Sequence, residues 1–508
     1  MKASRLLRPG SLVAATALLL SPGLALGAPF DAAVFVLAGV RIRDGSMPYR
    51  DLWDHKPPGV YLLNAFGQTA LAWLDPWLVT WLLTVVFTSA AILLIDRLLR
   101  RRLSSGAAWC WSVVCLVGVA GYPVATGGGL TESFALLPLV TTLWATATMP
   151  RNLRSSAGIG CLLGVACLIS MQSLPAAAVL AVAAVVGEGG PAGAGRRAVA
   201  MIAGGLVLPL LVLGWLVAGG AAGDAFDQIV TYNAAYRDSS SGLVEMLLIT
   251  VLYLGWLAVP AGVTVARMIL RPRSFDGVEW SSLAWIIASA AYVAYQDRIV
   301  LHYFILVIPP LVLLASPGME WLWARRRLSR PSRRRLVLAL LTATACAFLF
   351  SAAVASRLTA IMLSNGAQVR ASSDATAAWI RTNTPASATL FVWGDDAAVY
   401  LTAGRAPYDR YVYQFPMVTA GYWSADRTAA LLDAWRALPP PVIVEARAAV
   451  PMFRASVDVG DPRDFDTLGP LREFVRANYR LVASFGDHDV YVVGSTGYLV
   501  ADDSTPYR

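Results

Sequence analysis

Lysine is almost absent from this 508-residue chain: it occurs only at Lys2 and Lys56, and arginine supplies the remaining positive side chains. Charged residues of either sign make up only 14% of the sequence, whereas soluble domains carry about 25%. Apolar residues make up 57%. These proportions exclude an ordinary soluble protein and indicate a membrane protein with some soluble mass attached. The scarcity of lysine singles out Lys56 as a candidate functional cation.

Motifs that bind nucleotides or hydrolyse esters are also absent. The sequence has no G-x-G-x-x-G opening a helix, no P-loop and no G-x-S-x-G elbow, which argues against nucleotide-binding, ATP-driven and hydrolytic enzymes. The five cysteines all lie in apolar runs without a C-x-x-C pair, so we interpret them as buried hydrophobic residues. The net charge of +9 comes in short arginine clusters between apolar runs, which is typical of cytoplasmic loops and not of nucleic-acid binding.

Long apolar runs dominate the first two thirds of the chain. A run of about 20 residues crosses a bilayer as a helix. Residues 59–74 are apolar too, but Asn64 and Gln68 interrupt them, which predicts an interfacial helix on the outer face. Leu26-Gly27-Ala28 resembles a signal-peptide cleavage site, although we favour an uncleaved first helix. We predict eleven spans, a few of them short, at residues 11–27, 76–96, 107–125, 131–149, 157–172, 173–187, 198–219, 244–270, 280–296, 300–316 and 336–356.

The distribution of positive charge supports this topology, because cytoplasmic loops are enriched in lysine and arginine. With the N-terminus inside, the cytoplasmic segments up to residue 356 hold 21 lysines and arginines, and the outer segments hold six. Residues 1–356 are therefore predicted to form a polytopic α-helical membrane domain whose first outer loop carries interfacial helices. Eleven crossings place the rest of the chain outside the cytoplasm.

Residues 357–508 lack a spanning run and alternate between helical and strand patterns. This alternation predicts a small extracytoplasmic α/β domain. The predicted helices are 371–382, 426–437 and 466–478, and the predicted strands are 389–393, 441–445 and a closing hairpin of 481–485 with 490–493.

The polar stretch from Asp31 to Gly59 follows the first apolar run and holds four aspartates, four cations and His55. Asp31 can act as a general base at the membrane surface, taking a proton from an acceptor hydroxyl or amine as that group attacks a sugar carbon. It can equally cap the helix that follows it. Both roles can hold together, because a cap fixes the position of the carboxylate.

The run Asp54-His55-Lys56-Pro57-Pro58-Gly59 is a more specific signal. A lysine beside a bilayer can pair with one phosphate as a point charge, and the two prolines keep its backbone extended. The alternative is an interfacial anchor that reaches the lipid headgroups. The density of neighbouring charge favours phosphate binding.

Another cationic group lies near the last spans, in Arg298-Ile-Val-Leu-His302-Tyr303. Arg298 and His302 are four residues apart and would share one face of a helix, so both are predicted to reach an anionic headgroup. Glu132 begins a membrane helix at the outer face, where it either partners the helix dipole or lines the same cavity. His55 and His302 with carboxylates could hold a divalent metal, although no spacing demands one.

These motifs together resemble the polytopic GT-C glycosyltransferases, in the branch of the protein O-mannosyltransferases and the lipid A aminoarabinose transferase. The likeness is closest to the bacterial family-39-like members. The matching motifs occur in the family's order and are spread over most of the chain. They are F-D-A-A at 30–33, D-G-S-M-P-Y-R-D-L-W-D-H-K-P-P-G at 44–59, T-E-S-F at 131–134, Y-N-A-A-Y at 232–236, R-I-V-L-H-Y-F-I-L-V-I-P-P at 298–310 and F-V-W-G at 391–394.

The resemblance implies an inverting sugar transfer from a polyprenyl-phosphate-linked donor to an acceptor (protein, lipid or polysaccharide) outside the cytoplasm of a bacterial inner membrane. By motif match, Asp31 would be the catalytic base. The donor phosphate would be bound by Lys56, Arg298 and His302. The substrate pocket would be lined by Asp54, His55, Glu132 and Tyr303.

The sequence departs from the family at two positions. An acidic residue usually follows the aspartate directly, and here the position is Ala32. A lysine common after the fifth helix is replaced within Ile-Ser-Met171-Gln172. Both departures bear on activity and on metal use, and Asp51 or Asp54 would have to supply the missing carboxylate.

Two other functions compete with sugar transfer. A lipid or polysaccharide flippase or transporter would need charged residues at mid-membrane depth and a cytoplasmic access path, whereas the charges here cluster at the outer boundary. A degenerate, non-catalytic binding protein of the same fold is the other alternative, and Ala32 is its best support.

Overall fold

The computed structural model describes residues 3–186, 190–236, 243–296, 300–447, 452–453 and 465–494. The described chain is mostly helical, with a small mixed sheet near its C-terminal end. Helices α1 to α10 are Ala3–Leu20, Pro22–Leu26, Phe30–Arg43, Gly59–Ala70, Pro76–Leu99, Ser105–Ala120, Tyr122–Ala125, Thr131–Thr148, Leu153–Ile169 and Leu174–Val185. Helices α11 to α21 are Gly190–Ala218, Ala222–Phe226, Asn233–Ala235, Leu243–Leu270, Gly277–Gln296, Phe304–Arg325, Pro331–Asn383, Ala398–Ala403, Phe415–Val418, Ala425–Ala437 and Gly469–Asn478.

The protein is a multi-pass membrane protein. Among the described residues, six helical segments are long and apolar enough to cross a bilayer. Each of the eleven predicted runs is mostly helical, although 336–356 is only part of the longer α17 and two runs each extend over two helices. The number of crossings stays a prediction. The six segments are Pro9–Leu26, Pro76–Leu99, Gly190–Ala218, Val251–Leu270, Leu301–Arg325 and Pro331–Asn383, and shorter apolar helices lie at Ser105–Ala120, Leu153–Ile169 and Met171–Val185.

Local sequence explains where several membrane helices begin. The Asp75 carboxylate accepts a hydrogen bond of 3.1 Å from the backbone N–H of Leu78, and Pro76 occupies the first helical position of α5. Ser104 caps α6 and Asn152 caps α9 in the same way. These short polar residues satisfy backbone donors that a helix start leaves unpaired.

Small residues allow two membrane helices to approach closely. Helices α9 and α11 pack along their length, and a Cβ added at Gly160 would lie 1.9 Å from the carbonyl oxygen of Met201. A Cβ at Gly164 would lie 2.3 Å from the carbonyl oxygen of Gly205. Backbone-to-backbone packing of this kind holds helices together in lipid, where burial of apolar surface provides little driving force for helix association.

Helix α17 is the longest element, with 53 residues. It runs unbroken through residues 356 and 357, where the sequence predicts the membrane domain to end and the outer domain to begin. The predicted helix 371–382 is its last part. The division into two domains stays a prediction, and the helix provides a continuous connection between the two regions.

The sheet contains strands β1 (Leu390–Trp393), β2 (Val442–Ala446), β3 (Tyr479–Phe485) and β4 (His488–Val493), in the order β1-β2-β4-β3. Strands β1 and β2 are parallel, and the other neighbours are antiparallel. The predicted strands and hairpin are present. The turn between β3 and β4 is shorter than predicted, because Gly486 at φ +58° begins a two-residue turn and His488 already lies in β4.

The part of the chain that follows α17 rests on the loop between α3 and α4, which we call the first loop. Helix α18 packs against α3, and the backbone N–H of Trp53 donates a 2.7 Å hydrogen bond to the carbonyl of Arg410. Helix α4 is the predicted interfacial helix, and Phe66 and Trp73 on and just after it are 70% and 75% exposed. This packing places the polar first loop between the membrane helices and the sheet region.

Candidate functional site

A cavity of about 750 Å³ lies where the first loop meets the membrane helices and the region of the chain that follows α17. Its size is that of a small-molecule site. Six of the predicted site residues line this cavity, namely Asp31, Asp54, His55, Lys56, His302 and Tyr303. We call it the first cavity.

Asp31 lies in the first turn of α3, whose N-cap residue is Pro29. The interpretation of Asp31 as an N-cap is therefore wrong, because the helix begins one residue earlier, at Phe30. The side chain is half-buried and lines the first cavity. Within the described part of the chain, no residue hydrogen bonds or ion-pairs with its carboxylate. A carboxylate so placed can accept a proton from a group bound in the cavity.

Lys56 presents its side chain to the first cavity from a rigid loop. Its carbonyl oxygen accepts hydrogen bonds from the hydroxyls of Tyr49 at 2.8 Å and Tyr61 at 3.1 Å. Burial lowers the pKa of the ammonium, but nearby Asp31 and other acidic groups outweigh it, so the pKa of Lys56 is raised. In the described residues the ammonium has no hydrogen-bonding or ion-pairing partner, which leaves it able to bind an anion.

Asp54 lines the cavity, but its carboxylate is hydrogen-bonded to neighbouring residues. It accepts hydrogen bonds from the hydroxyls of Tyr413 at 2.6 Å and Tyr61 at 2.7 Å, and from the His55 backbone N–H at 2.8 Å. Burial raises the pKa of this carboxyl, yet His55 and the two tyrosines outweigh burial and lower it. Asp54 therefore stays ionised and fixes the loop that carries Lys56.

His55 lies beside Asp54, with 3.4 Å between its Nδ1 and Asp54 Oδ1. Burial and the Lys56 ammonium lower the pKa of the His55 imidazole. Its ring stands 5.1 Å from the ring of Tyr232 and 5.3 Å from that of Tyr236, measured between centroids. His55 is therefore uncharged near pH 7, and its ring packs against the tyrosines as part of the cavity wall.

The segment between α11 and α14 holds the first loop in place. It includes a π-helical turn, Asp227–Tyr232, a feature frequent at functional sites. Gln228 accepts a 3.1 Å hydrogen bond from the Asp54 backbone N–H and donates one of 2.8 Å to the Tyr49 carbonyl. Asn233 donates a 2.9 Å hydrogen bond to the His55 carbonyl. These bonds satisfy the backbone on either side of Asp54 and fix its conformation.

His302 and Tyr303 form a short 3-10 turn that enters the cavity before α16. The Nε2 atom of His302 lies 3.9 Å from Glu132 Oε2. Glu132, which is 2% exposed, stands behind the lining residues and accepts a 3.1 Å hydrogen bond from Ser170. Arg298 lies outside the described residues, and its predicted shared face with His302 stays a prediction.

Other lining residues were not predicted as site residues from the sequence. Tyr413 and Phe415 reach it from the region that follows α17, and their rings each stand 5.4 Å from the Phe30 ring, edge to face. Gln172 lies in the cavity and donates a 2.9 Å hydrogen bond to Gln296. The region that follows α17 thus contributes to the site that the first loop begins.

Ala32 faces the protein interior instead of the first cavity. It is fully buried, and a Cβ added at Gly129 would lie 2.6 Å from its Cβ. The proposed substitutes for a missing carboxylate have other contacts: Asp51 accepts from Arg50 at 2.7 Å, and Asp54 accepts from tyrosines. Nowhere in the described residues do three or more His, Cys, Asp or Glu side chains gather as metal ligands would.

No family model matches the sequence, and no curated protein matches it. Solved structures do match. The apo structure of ArnT from Cupriavidus metallidurans superposes with a TM-score of 0.60 at 14% identity, over 97% of this chain and 98% of that chain. ArnT bound to undecaprenyl phosphate superposes with a TM-score of 0.59 at 15% identity, over 96% and 98%.

The archaeal oligosaccharyltransferase AglB from Archaeoglobus fulgidus, solved with an inhibitory peptide and a dolichol-phosphate, matches with a TM-score of 0.46 at 14% identity, over 86% of this chain and 69% of that chain. The ArnT match extends over nearly the whole length of both chains. It confirms, at the level of the fold, the GT-C resemblance drawn from the motifs. The chain described here therefore has the fold of ArnT.

Proposed function

We propose that this protein transfers a hexose or pentose from a polyprenyl-phosphate-linked donor to an acceptor on the extracytoplasmic face of a bacterial inner membrane. The observation that carries this proposal is a single cavity lined by the Asp31 carboxylate and the Lys56 ammonium. One group can accept a proton and the other can bind a phosphate. ArnT, whose fold the chain shares, has been solved bound to undecaprenyl phosphate.

The topology that we propose has eleven crossings, with residues 1–356 as the membrane domain and residues 357–508 as an extracytoplasmic domain. The cationic clusters of the intervening loops support it. On this topology the first cavity opens outside the cytoplasm. A lipid-linked donor is then needed, because nucleotide sugars are cytoplasmic and the sequence has no nucleotide-binding motif.

The reaction is a direct displacement at the anomeric carbon. Asp31 takes the proton from an acceptor hydroxyl or amine while the acceptor atom forms a bond to that carbon. The bond between the carbon and the phosphate oxygen breaks on the opposite side, and its electron pair leaves with the polyprenyl phosphate. The configuration of the sugar is inverted.

The leaving phosphate needs a preorganised positive charge, which Lys56 supplies. Its ammonium carries its charge before a donor binds because Asp31 and Glu132 stabilise it, so no charge has to be created during the reaction. His302 and Tyr303 line the same cavity, where they can contact the phosphate or the sugar. Arg298 joins this group in the proposal by motif alone.

Asp54, His55 and Glu132 act behind these groups. Asp54 holds the Lys56 loop through Tyr61 and Tyr413, and His55 closes one wall against Tyr232. Glu132 lies behind the cavity and stabilises the charge of Lys56. We therefore assign positioning roles to these three residues.

The test is transfer of label in proteoliposomes that contain the purified full-length protein. A radiolabelled polyprenyl-phosphate-linked hexose or pentose is supplied together with membrane extract as the source of acceptor. The proposal predicts that label leaves the lipid and becomes bound to an acceptor. Label that crosses the bilayer while it stays on the lipid would indicate a transporter. A bound donor that never loses its label would indicate a non-catalytic binding protein.

A further inference from the structure

Four arginines gather at the far end of the membrane helices, about one bilayer thickness from the first cavity. Helix α16 begins directly after Tyr303, which lines that cavity, and ends at Arg325. Its 22 residues make a helix about 33 Å long. The arginine cluster, as we call it, consists of Arg102 after α5, Arg267 and Arg271 at the end of α14, and Arg325.

The members of the arginine cluster come from parts of the chain that pack together. Helix α16 packs against α14 and against α5. The charges of Arg325, Arg271 and Arg102 all act on Arg267. Because like charges repel one another, this arrangement costs free energy unless an anion lies among them.

Two aromatic rings position three of the four guanidinium groups. The Cζ atom of Arg267 lies 5.3 Å from the centre of the Phe275 ring and 5.7 Å from that of Trp321. The Cζ atom of Arg325 lies 4.2 Å from the centre of the Trp321 ring, and that of Arg102 lies 5.6 Å from the centre of Phe275. Rings at such distances attract a cation. They position the guanidinium groups without neutralising their charge.

The carboxylates at this end of the helices serve only one member of the arginine cluster. Asp276 Oδ2 lies 3.4 Å from a nitrogen of Arg101 and 3.8 Å from one of Arg102. Glu279 lies 2.5 Å from Arg102 Nε. Glu320 on α16 is exposed and makes no ion pair within the part of the chain that the structure describes.

The other three members have no counterion. Among the described residues, no carboxylate pairs with Arg267, Arg271 or Arg325. Arg267 Nη1 donates a long hydrogen bond, of 3.4 Å, to the Pro317 carbonyl. A phosphate suits such a group of cations, because guanidinium binds phosphate oxygens through two parallel N–H bonds.

The surface beside the arginine cluster is apolar. Ile269 and Leu270 on α14 are 71% and 79% exposed, and Trp323 on α16 is 56% exposed. Both helices belong to segments that can cross a bilayer, and tryptophan is common where such a helix meets the membrane surface. A ligand that joins a phosphate to acyl chains matches both the arginines and this apolar surface. A free phosphate matches only the arginines.

We propose that the arginine cluster binds the phosphate headgroup of an anionic phospholipid, whose acyl chains lie along α14 and α16. On the topology proposed above, this lipid belongs to the cytoplasmic leaflet. Basic pockets between membrane helices bind anionic headgroups on that side of the membrane. The bound lipid would bridge α5, α14 and α16 at the end opposite the first cavity. Its binding does not depend on sugar transfer.

The experiment is native mass spectrometry of the purified, delipidated full-length protein in detergent, without any donor. The probes are dioleoyl phosphatidylglycerol as an anionic lipid, dioleoyl phosphatidylcholine as a zwitterionic lipid with the same acyl chains, and inorganic phosphate as an anion alone. We expect the first phosphatidylglycerol to bind at least about tenfold more tightly than either other probe, because each arginine near a lipid surface contributes about fivefold.

The decisive variant is Arg325→Gln, with Arg271→Gln as a second variant if the first does not fold. Arg334→Gln is the matched control, because it removes the same charge from an exposed position on α17. Its charge is not among those that act on Arg267. We expect the cluster variants to weaken binding of the first phosphatidylglycerol about fivefold and the control to leave it unchanged.

Four results would overturn the proposal: phosphatidylcholine binding as tight as phosphatidylglycerol, inorganic phosphate binding as tight as phosphatidylglycerol, unchanged binding in the cluster variants, or equal weakening by the Arg334 control. The last result would indicate diffuse attraction to the positive loops in place of a site. Because no donor is present, the outcome is independent of catalysis. Sugar transfer by a protein that fails this test would overturn the lipid site alone.

Discussion

Replacing Lys56 with methionine removes the ammonium while it keeps a side chain of similar length. Lys56 lies half-buried in the first cavity, and its ammonium has no partner in the described residues. The backbone of the loop is held by Tyr49, Tyr61 and Asn233, and these bonds do not involve the Lys56 side chain. The variant is therefore expected to fold.

The expected loss of affinity for polyprenyl phosphate follows from the free energy of a hydrogen bond to a charged group. Such a bond is worth about 1.5–3 kcal/mol, and about 1.4 kcal/mol changes an equilibrium constant tenfold. Lys56→Met should therefore weaken the binding of a polyprenyl phosphate by about ten- to a hundredfold. Since the pKa of Lys56 is raised, binding by the native protein should not decline between pH 8 and pH 10.

The assay is titration of undecaprenyl phosphate into protein held in lipid nanodiscs. Arg43→Met serves as the control, because it removes a cation from the end of α3, at a position that does not line the first cavity. Unchanged affinity in Lys56→Met, or an equal loss in the control, would refute the assignment of the donor phosphate to Lys56.

Two further predictions concern stability, measured by thermal unfolding in detergent. Tyr413→Phe removes a 2.6 Å hydrogen bond to the buried Asp54 carboxylate and should lower the free energy of unfolding by about 1.5–3 kcal/mol. Asp409 has a pKa of about 7 in the folded protein and about 3.9 when unfolded. The folded state therefore binds the extra proton between these values, and stability falls as the pH rises through them. Asp409→Asn should raise the unfolding midpoint at pH 8 and leave it nearly unchanged at pH 4.

Each of these has its own control. Tyr253→Phe changes a tyrosine on α14, away from the first cavity lining. It should lower the free energy of unfolding less than Tyr413→Phe does. An equal decrease would contradict the special role of the hydrogen bond to Asp54. Asp433→Asn changes an exposed carboxylate on α20, and it should not raise the unfolding midpoint at pH 8 as Asp409→Asn does. An Asp409→Asn variant that gains no stability at pH 8 would show that Asp409 is not held protonated by burial.

The sequence was sufficient to predict the elements whose signals are local. The apolar runs coincide with helices because length and hydropathy determine a spanning helix. The hairpin of β3 and β4 is signalled by apolar alternation around Gly486. The turn residues alone did not fix its length, since β4 begins at His488 by pairing with β2, a contact distant in the sequence.

The candidate site was predicted in part for the same reason. Asp31 and Lys56 lie in one segment with distinctive sequence motifs, and both line one cavity in the structure. Tyr413 and Gln228 were missed, because they reach the loop from positions 359 and 174 residues away from Asp54. No local sequence pattern predicts contacts between residues so far apart in the chain. The N-cap interpretation of Asp31 was wrong because Pro29 and Phe30 start the helix earlier.

Helix α17 illustrates the limit of reading boundaries from hydropathy. Its apolar part ends near residue 356, but the helix continues to Asn383, since arginine, serine and alanine carry it on outside the apolar run. The arginine cluster was also not predicted from the sequence. Arg102, Arg267 and Arg325 come together only when α16 packs against α5 and α14.

The central claim is that Asp31 is the base of a sugar transfer. The most direct measurement compares label transfer from a radiolabelled polyprenyl-phosphate sugar by the native protein, by Asp31→Asn and by Asp44→Asn, whose carboxylate pairs with Arg43 away from the cavity. We predict that native protein and Asp44→Asn transfer label, while Asp31→Asn binds the donor but transfers at least about a hundredfold more slowly. Asp31→Asn turnover close to that of the native protein would contradict the account.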